Sequence, residues 1–305
     1  MSFIEQLNEK FPIRRKEEQK QAFRTWFIQQ AEAMGFAARV EDVKGHQNVV
    51  VGDPETAQTI FTAHYDTPAA SLLPNVMTPR NKLFFWCYQM FQVGVLVALG
   101  FSVGVPLAVI TGDDYVGFLA GYAVYMGCLF LMIFGPANKH NVNDNTSGVA
   151  AILETMSRIP AVDRSKAAFI LFDNEEKGCR GSKAYAKAHP AVKEQGFLVN
   201  LDCVGDGENV LFVAKQKIRE KPQYALLTEA LSAQTGRELH IFPMEGSVLN
   251  SDQKNFDASA AICACHRDKR LGFVCDRIHT AEDTVCEQVN LDFIAGGLSD
   301  FIAKL

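Results

Sequence analysis

Hydrophobic positions change period several times along the chain, and each change marks an expected element. Phe23, Trp26, Phe27 and Ala31 recur at helical spacing, which predicts helix over residues 1–35 with Gly35 as its stop. QNVVV (47–51) and TIFTAHY (59–65) are β-rich runs separated by the turn-like GDPETAQ. From Val142 onward the patterns alternate. GVAAILETMSRI (148–159), SKAYAKAHPAVKE (182–194) and YALLTEALSAQTG (224–236) read as helices. AAFILF (167–172), GFLVNLDCV (196–204) and ENVLFVA (208–214) read as strands. Strands alternating with helices predict a layered α/β fold with a largely parallel sheet.

One region stands outside this pattern. Leu83–Ile110 and Tyr115–Pro136 carry no charged residue and are joined by the short turn TGDD. Each exceeds the roughly 20 residues that span a hydrocarbon layer as a helix. Trp86, Tyr88, Tyr115, Tyr122 and Tyr125 include aromatics placed near the expected interfaces. A buried core hairpin would need a great deal of protein to cover two segments apolar all round, so a transmembrane helical hairpin is expected, ahead of a lid or a dimer interface. The expected organisation is one domain built from 1–80 and 138–305, interrupted by an apolar hairpin at 82–136. Arg80, Lys82, Lys139 and His140 flank the hairpin on the domain side, and Asp113 and Asp114 sit in its turn. Positive flanks stay cytoplasmic, so the main domain is expected at the cytoplasmic face of a membrane.

Composition adds less. The chain has 305 residues, a net charge of -5 and 48% hydrophobic residues, the excess lying in those two runs. That charge offers no basic footprint for nucleic acid, which is not an expected partner. The charged start, MSFIEQLNEKFPIRRKEEQKQ, lacks the apolar core of a secretory signal peptide. The 8 cysteines form no CxxC pair, so free thiols are expected.

Candidate chemistry collects at strand ends. His64 and Asp66 close TIFTAHYD, Asp144 precedes a helix, Glu175 and Glu176 follow AAFILF, Asp202 follows FLVNL, and His279 lies in RIHTAEDT. Open α/β sheets place their sites at the carboxyl ends of strands, where such loops converge. Two imidazoles with several carboxylates suit zinc. Asp66 is expected to accept the second ring N–H of His64. Glu175 and Glu176 stand at the mouth of a buried strand, and alternation is expected to aim their side chains to opposite sides.

AHYDT (63–67), NDNTSGVAAILE (143–154), LFDNEEKGCRGS (171–182), NLDCVGDG (200–207), SDQKNF (251–256) and HTAEDT (279–284) occur in one order. Together they resemble the zinc aminopeptidases of the M28 peptidase family. The resemblance implies a three-layer α/β/α sandwich with a mixed, mostly parallel central sheet. It also implies two zinc ions: His64, Asp144 and Asp202 would hold one, and Asp144, Glu176 and His279 the other, with Asp144 bridging and Glu175 as general base. Peptides with a free N-terminus would be the substrates; the apolar runs, apart from the resemblance, make the lipid bilayer an expected partner through residues 83–136. Two departures stand out. The apolar insertion separates Asp66 from Asp144, and Asn141-Val142-Asn143 replaces the glycine and alanine that often precede the bridging aspartate. Two other readings stay open, a glutaminyl-cyclase-like single-zinc acyltransferase and a non-catalytic membrane receptor on a peptidase fold. Asp252 is a candidate for supporting the site. His46, His140, His189, His240 and His266 read as surface or loop residues, and RRKEEQK (14–20) as a solvated helix face.

Overall fold

A computed structural model describes residues 1–305. Where the periodicity predicts one opening helical stretch there are two helices, α1 (Phe3–Lys10) and α2 (Glu17–Ala33). Pro12 lies in the break, and a capping box starts α1, in which Ser2 and Glu5 each bond the other's backbone N–H. β1 (Ala38–Val43) and β2 (His46–Val51) form an antiparallel hairpin. Its tip is Lys44-Gly45, both at positive φ, the geometry that matches the twist of paired strands. β3 (Thr59–His64) follows, then α3 (Lys82–Thr111), α4 (Asp114–Phe134), α5 (Gly148–Arg158) and β4 (Ala167–Phe172). The helix predicted over 182–194 is split into α6 (Arg180–Ala188) and α7 (Pro190–Gln195). Pro190 has no N–H to continue a helix and crowds the residue before it, so His189 leaves helical geometry. The remainder is β5 (Leu198–Leu201), β6 (Asn209–Ala214), α8 (Gln216–Arg219), α9 (Pro222–Ser232), β7 (Glu238–Pro243), β8 (Ser259–Asp268), β9 (Gly272–Val274) and α10 (Gln288–Lys304).

The strands form one mixed sheet in the order β1-β2-β4-β3-β5-β8-β6-β7, with β9 paired to β8. Parallel pairing runs through the middle four strands, β4-β3-β5-β8, and recurs between β6 and β7. The β1–β2, β2–β4, β6–β8 and β8–β9 pairs are antiparallel. Alternation divides the strand residues between two faces. Phe61, Ala63, Phe169, Leu171, Val199 and Leu201 pack into one core with α1, α2, α5, α9 and α10. Ile60, Ala168, Ile170, Phe172 and Leu198 face the other way, against Tyr185, Val192 and Phe256. Each large side chain so buried is worth roughly 1.5–3 kcal/mol. The result is the expected three-layer α/β/α sandwich.

α3 and α4 pack against each other as a hairpin that stands away from this sandwich. Asp113 caps α4, its carboxylate accepting from the N–H groups of Tyr115 (2.8 Å) and Val116 (3.3 Å). The helices touch through glycine. A Cβ on Gly104 would lie 2.7 Å from the carbonyl oxygen of Gly117, and one on Gly100 2.8 Å from that of Gly121. Such small-residue seams let backbones approach closely. Only 17% and 6% of the most apolar stretches of α3 and α4 are buried, so neither is a core helix. Phe91, Phe101, Val109, Phe118 and Phe130 are exposed on the hairpin's outer surface. Both helices are long and apolar enough to cross a membrane.

The hairpin is seated on the domain at both ends. Arg15 donates to the carbonyls of Ile133 (3.0 Å) and Pro136 (3.4 Å) at the end of α4. Near the start of α3, Tyr88 Oη and Gln92 Nε2 donate to the Pro74 carbonyl at 2.7 and 2.9 Å. The chain leaves the carboxyl end of β3 to enter the hairpin and returns just before Asp144. The insertion therefore rises from the same sheet edge that gathers the strand-end acids and histidines.

Candidate metal centre

All five candidate ligands come together at the carboxyl ends of β3, β4 and β5. Asp144 is central. Its Oδ1 lies 3.2 Å from His64 Nε2, and its Oδ2 lies 2.9 Å from His279 Nε2. Asp202 Oδ1 is 3.6 Å from His64 Nε2, and Glu176 Oε2 is 3.5 Å from His279 Nε2. Two sets of ligand atoms result, His64–Asp144–Asp202 and Asp144–Glu176–His279, each with its atoms within 4.8 Å of one another. Asp144 belongs to both and offers one oxygen to each. His64, Glu175 and Glu176 form a third close group.

Backbone and amide contacts hold these side chains. Asp283 accepts from the N–H groups of Asn143 (2.6 Å) and Asp144 (3.1 Å), fixing the loop that carries Asp144. Asn145 donates Nδ2 to the Leu201 carbonyl (2.9 Å) and accepts from the Cys203 N–H (3.2 Å), joining that loop to the one carrying Asp202. Asn143 Oδ1, accepting from the Gly205 N–H at 2.7 Å, adds a second tie. Asn143 thus fills the place where a smaller residue was expected, and it has a structural use there. His279 has φ 62, a left-handed conformation uncommon for a side-chain-bearing residue and frequent at functional sites.

Two expectations need correction. The strand ends at Phe172, and Asn174 at φ 56 turns the chain before the glutamates are reached. Alternation therefore does not apply to them, and both Glu175 and Glu176 face the same cavity. Asp66 also differs. Its backbone carbonyl, at 3.1 Å, is nearer to His64 Nδ1 than its carboxylate at 3.7 Å. That carboxylate accepts from the N–H groups of Glu175 (2.9 Å) and Glu176 (3.3 Å). Asp66 thereby sets the turn that presents both glutamates.

The cluster RRKEEQK is not wholly a solvated face either. Arg14 is fully buried and Lys20 nearly so. Arg14 donates Nε to the Tyr65 carbonyl (2.5 Å), Nη1 to that of Phe11 (2.7 Å) and Nη2 to Thr146 Oγ1 (2.9 Å). Lys20 pairs with Asp173 at 2.5 Å. Burial lowers the Arg14 pKa to about 10, while Asp66 and Asp144 oppose the fall. The sequence held little signal for this, because Arg14 lies in a break between helices and its partners Tyr65 and Thr146 are distant in the chain. Cys179, which donates Sγ to Glu175 Oε1 at 3.0 Å, was likewise not singled out. The other histidines stand apart from the centre. His189 meets Glu41 and Glu55, and His266 meets Asp206 and Glu208.

The electrostatics ask for positive charge. Burial is the main cause that raises the Glu175 and Glu176 pKa values well above the ordinary carboxylate range, and neighbouring carboxylates add to it. Burial also lifts Asp252 to about 7, and both of its oxygens lack a hydrogen-bond partner. Burial works against ionised Asp144, yet hydrogen bonds from His279 and His64 hold its pKa below the usual value. Burial likewise opposes a charged His64, but its hydrogen bonds with Asp144, Asp202 and Asp66 raise it well above the ordinary value. Glu176 Oε1 is buried with no partner. Uncompensated buried carboxylates are costly, and their pairing with imidazoles is the donor chemistry of zinc-type cations. The residues present fit a divalent metal. A cavity of about 290 Å³ opens onto them, its other walls including Met77, Leu249, Ile262 and Ile278.

No curated protein matches the sequence. Among solved structures, the glutaminyl cyclase of Porphyromonas gingivalis is 15% identical with a TM-score of 0.59, the match covering 99% of this chain and 96% of that one. A leucine aminopeptidase precursor from Bacteroides thetaiotaomicron is 15% identical with a TM-score of 0.56, covering 99% and 95%. A Zn-dependent exopeptidase from Parabacteroides distasonis is 15% identical with a TM-score of 0.57, covering 98% and 94%. These likenesses carry the fold. The family model described as peptidase family M28 matches residues 131–295, a span that contains Asp144, Glu175, Glu176, Asp202 and His279. The chain belongs to peptidase family M28.

Proposed function

We propose that the chain is a zinc-dependent exopeptidase that removes N-terminal amino acids from peptides. The observation that supports this most is the division of Asp144, one oxygen towards His64 and the other towards His279, with Asp202 and Glu176 completing two overlapping donor sets. His64, Asp144 and Asp202 would hold one zinc ion, and Asp144, Glu176 and His279 the other. When bound, such ions supply Lewis-acid polarisation of the scissile carbonyl and acidify water.

The remaining work falls to the chain's own groups. Glu175 is the general base. Its Oε1 is engaged by Cys179 Sγ, so Oε2 is the oxygen that takes a proton from the attacking water and returns it to the leaving amine. In the metal-free site burial raises its pKa above the ordinary carboxylate range, the direction that makes a carboxylate a stronger base. Asp66 is a positioning residue that holds the Glu175–Glu176 turn, and Asp283 does the same for Asp144. The catalytic domain is taken as residues 1–80 and 138–305. The hairpin at 82–136 is taken as crossing the bilayer with the domain on the cytoplasmic side, as its basic flanks and acidic turn favour.

The likeness to glutaminyl cyclases supports a second reading, a single-zinc acyltransferase that cyclises N-terminal glutamine. A substrate panel separates the two. Detergent-extracted full-length protein should hydrolyse at least one aminoacyl-p-nitroanilide and leave a glutaminyl peptide uncyclised. Cyclisation without arylamide hydrolysis would overturn the exopeptidase reading.

A further inference from the structure

A second feature lies at the foot of the hairpin, away from the metal centre. The tip of the β8–β9 hairpin reads RDKRLG (267–272) and folds against Asn81, whose Nδ2 donates to the Leu271 carbonyl at 3.4 Å. Asn81 is also the cap of α3, accepting from the Phe84 N–H at 3.0 Å. An open groove of about 550 Å³ lies between the two, and Arg80, Arg267, Lys269 and Arg270 line it. The acid in its wall, Asp268, is occupied by the turn itself, its Oδ1 accepting from the N–H groups of Arg270 and Leu271, both at 2.7 Å. Arg80 and Arg267 lie over the rings of Phe242 and Phe273, each 4.3 Å from the centroid, which holds two guanidinium groups in place at the groove.

Position gives the groove its meaning. From Asn81 to exposed Trp86 the helix rises about 7–8 Å, close to the depth of one headgroup layer. A chain of net charge -5 has therefore gathered cations on the ring where its apolar surface begins. We propose that this groove binds the headgroup of an anionic phospholipid, with Arg80, Arg267, Lys269 and Arg270 as the phosphate-recognising cations. The proposal rests on the reading that the hairpin lies in a bilayer. Each cation near an anionic surface contributes roughly fivefold, or about 1 kcal/mol.

The test uses full-length protein in dodecyl maltoside micelles, with its thermal midpoint followed as phosphatidylglycerol or phosphatidylcholine is added. Phosphatidylglycerol should raise the midpoint and phosphatidylcholine should not, since a ligand that binds only the folded state stabilises it. The Lys269→Ala/Arg270→Ala pair should need about 25-fold more phosphatidylglycerol for half the rise. If that pair starts from a lower midpoint, Lys269→Gln alone should still shift the titration about fivefold. Equal effects of the two lipids, an unshifted titration in both variants, or a matching rise with inorganic phosphate alone would overturn the assignment. An alkaline carbonate wash tests the underlying reading separately. Release of the chain from membranes refutes the hairpin, whereas retention with no lipid preference refutes only the headgroup site.

Discussion

At the scale of single residues, the glutamate pair divides the chemistry. Under the proposed roles Glu175→Gln keeps its shape and the metal but cannot accept a proton, so turnover should fall by roughly 10²–10⁴ while zinc content is unchanged. Glu176→Gln should lose zinc instead, because it removes a charged donor from the set around His279. Zinc analysis beside kinetics distinguishes the two, and near-normal turnover in Glu175→Gln would remove it from the base role. Arg14 matters differently. Arg14→Met leaves the buried carbonyl of Tyr65, the partly buried one of Phe11 and the hydroxyl of Thr146 without their donor. Each orphaned group costs about 1–3 kcal/mol, so a loss of several kcal/mol is expected in chemical denaturation. That the candidate ligand positions would converge was legible in the sequence, because the α/β pattern brings loops at strand ends together. Arg14 and Lys20 were not. Their burial comes from the packing of α2 and its leading segment over the sheet edge, and a run of charges does not reveal which members turn inward.

At the scale of elements, the apolar runs between residues 142 and 236 were legible, whereas the edge strands β1 and β7, the central strand β8 and the closing helix α10 were not. β3, β4, β5 and β6 are the apolar runs expected, each wholly buried. β1 and β7 were missed because edge strands expose one side, and ARVEDV and ELHIFP carry polar residues there. The turn at Asn174 was also missed, and with it the common facing of the two glutamates. The apolar hairpin is the element whose packing depends most on particular residues. Gly104→Leu would drive a side chain into the backbone of Gly117 and Gly121. It should lower the thermal midpoint in detergent, whereas Gly94→Ala, which meets nothing within 4 Å, should be close to neutral.

At the scale of the whole molecule, charge and metal are linked to stability. Without metal, Glu175, Glu176, Asp252 and Asp283 all have raised pKa values, the last two at about 7. The native state then binds protons that the unfolded chain has released above its ordinary carboxylate pKa of about 4. Stability of the chelated protein should therefore be greatest near the lower end of that window and decline as pH rises towards about 7. Asp144 and Asp66, both held low, titrate below that window and oppose the trend only at its acid end. Zinc should weaken the decline, because Glu176 would become a ligand and the added positive charge would favour ionisation of the carboxylates around it. Thermal scans across that window with and without zinc would show it. A chelated protein that grew more stable with rising pH would contradict the electrostatic picture.

The central claim is that a metal centre shared through Asp144 hydrolyses the N-terminal bond of peptides. It is tested most directly by chelating the detergent-extracted chain and titrating zinc back while following an aminoacyl-p-nitroanilide. Activity should vanish with the chelator and return as zinc fills both donor sets, with Glu175→Gln taking up the same zinc yet remaining inactive. Hydrolysis indifferent to the chelator would contradict it.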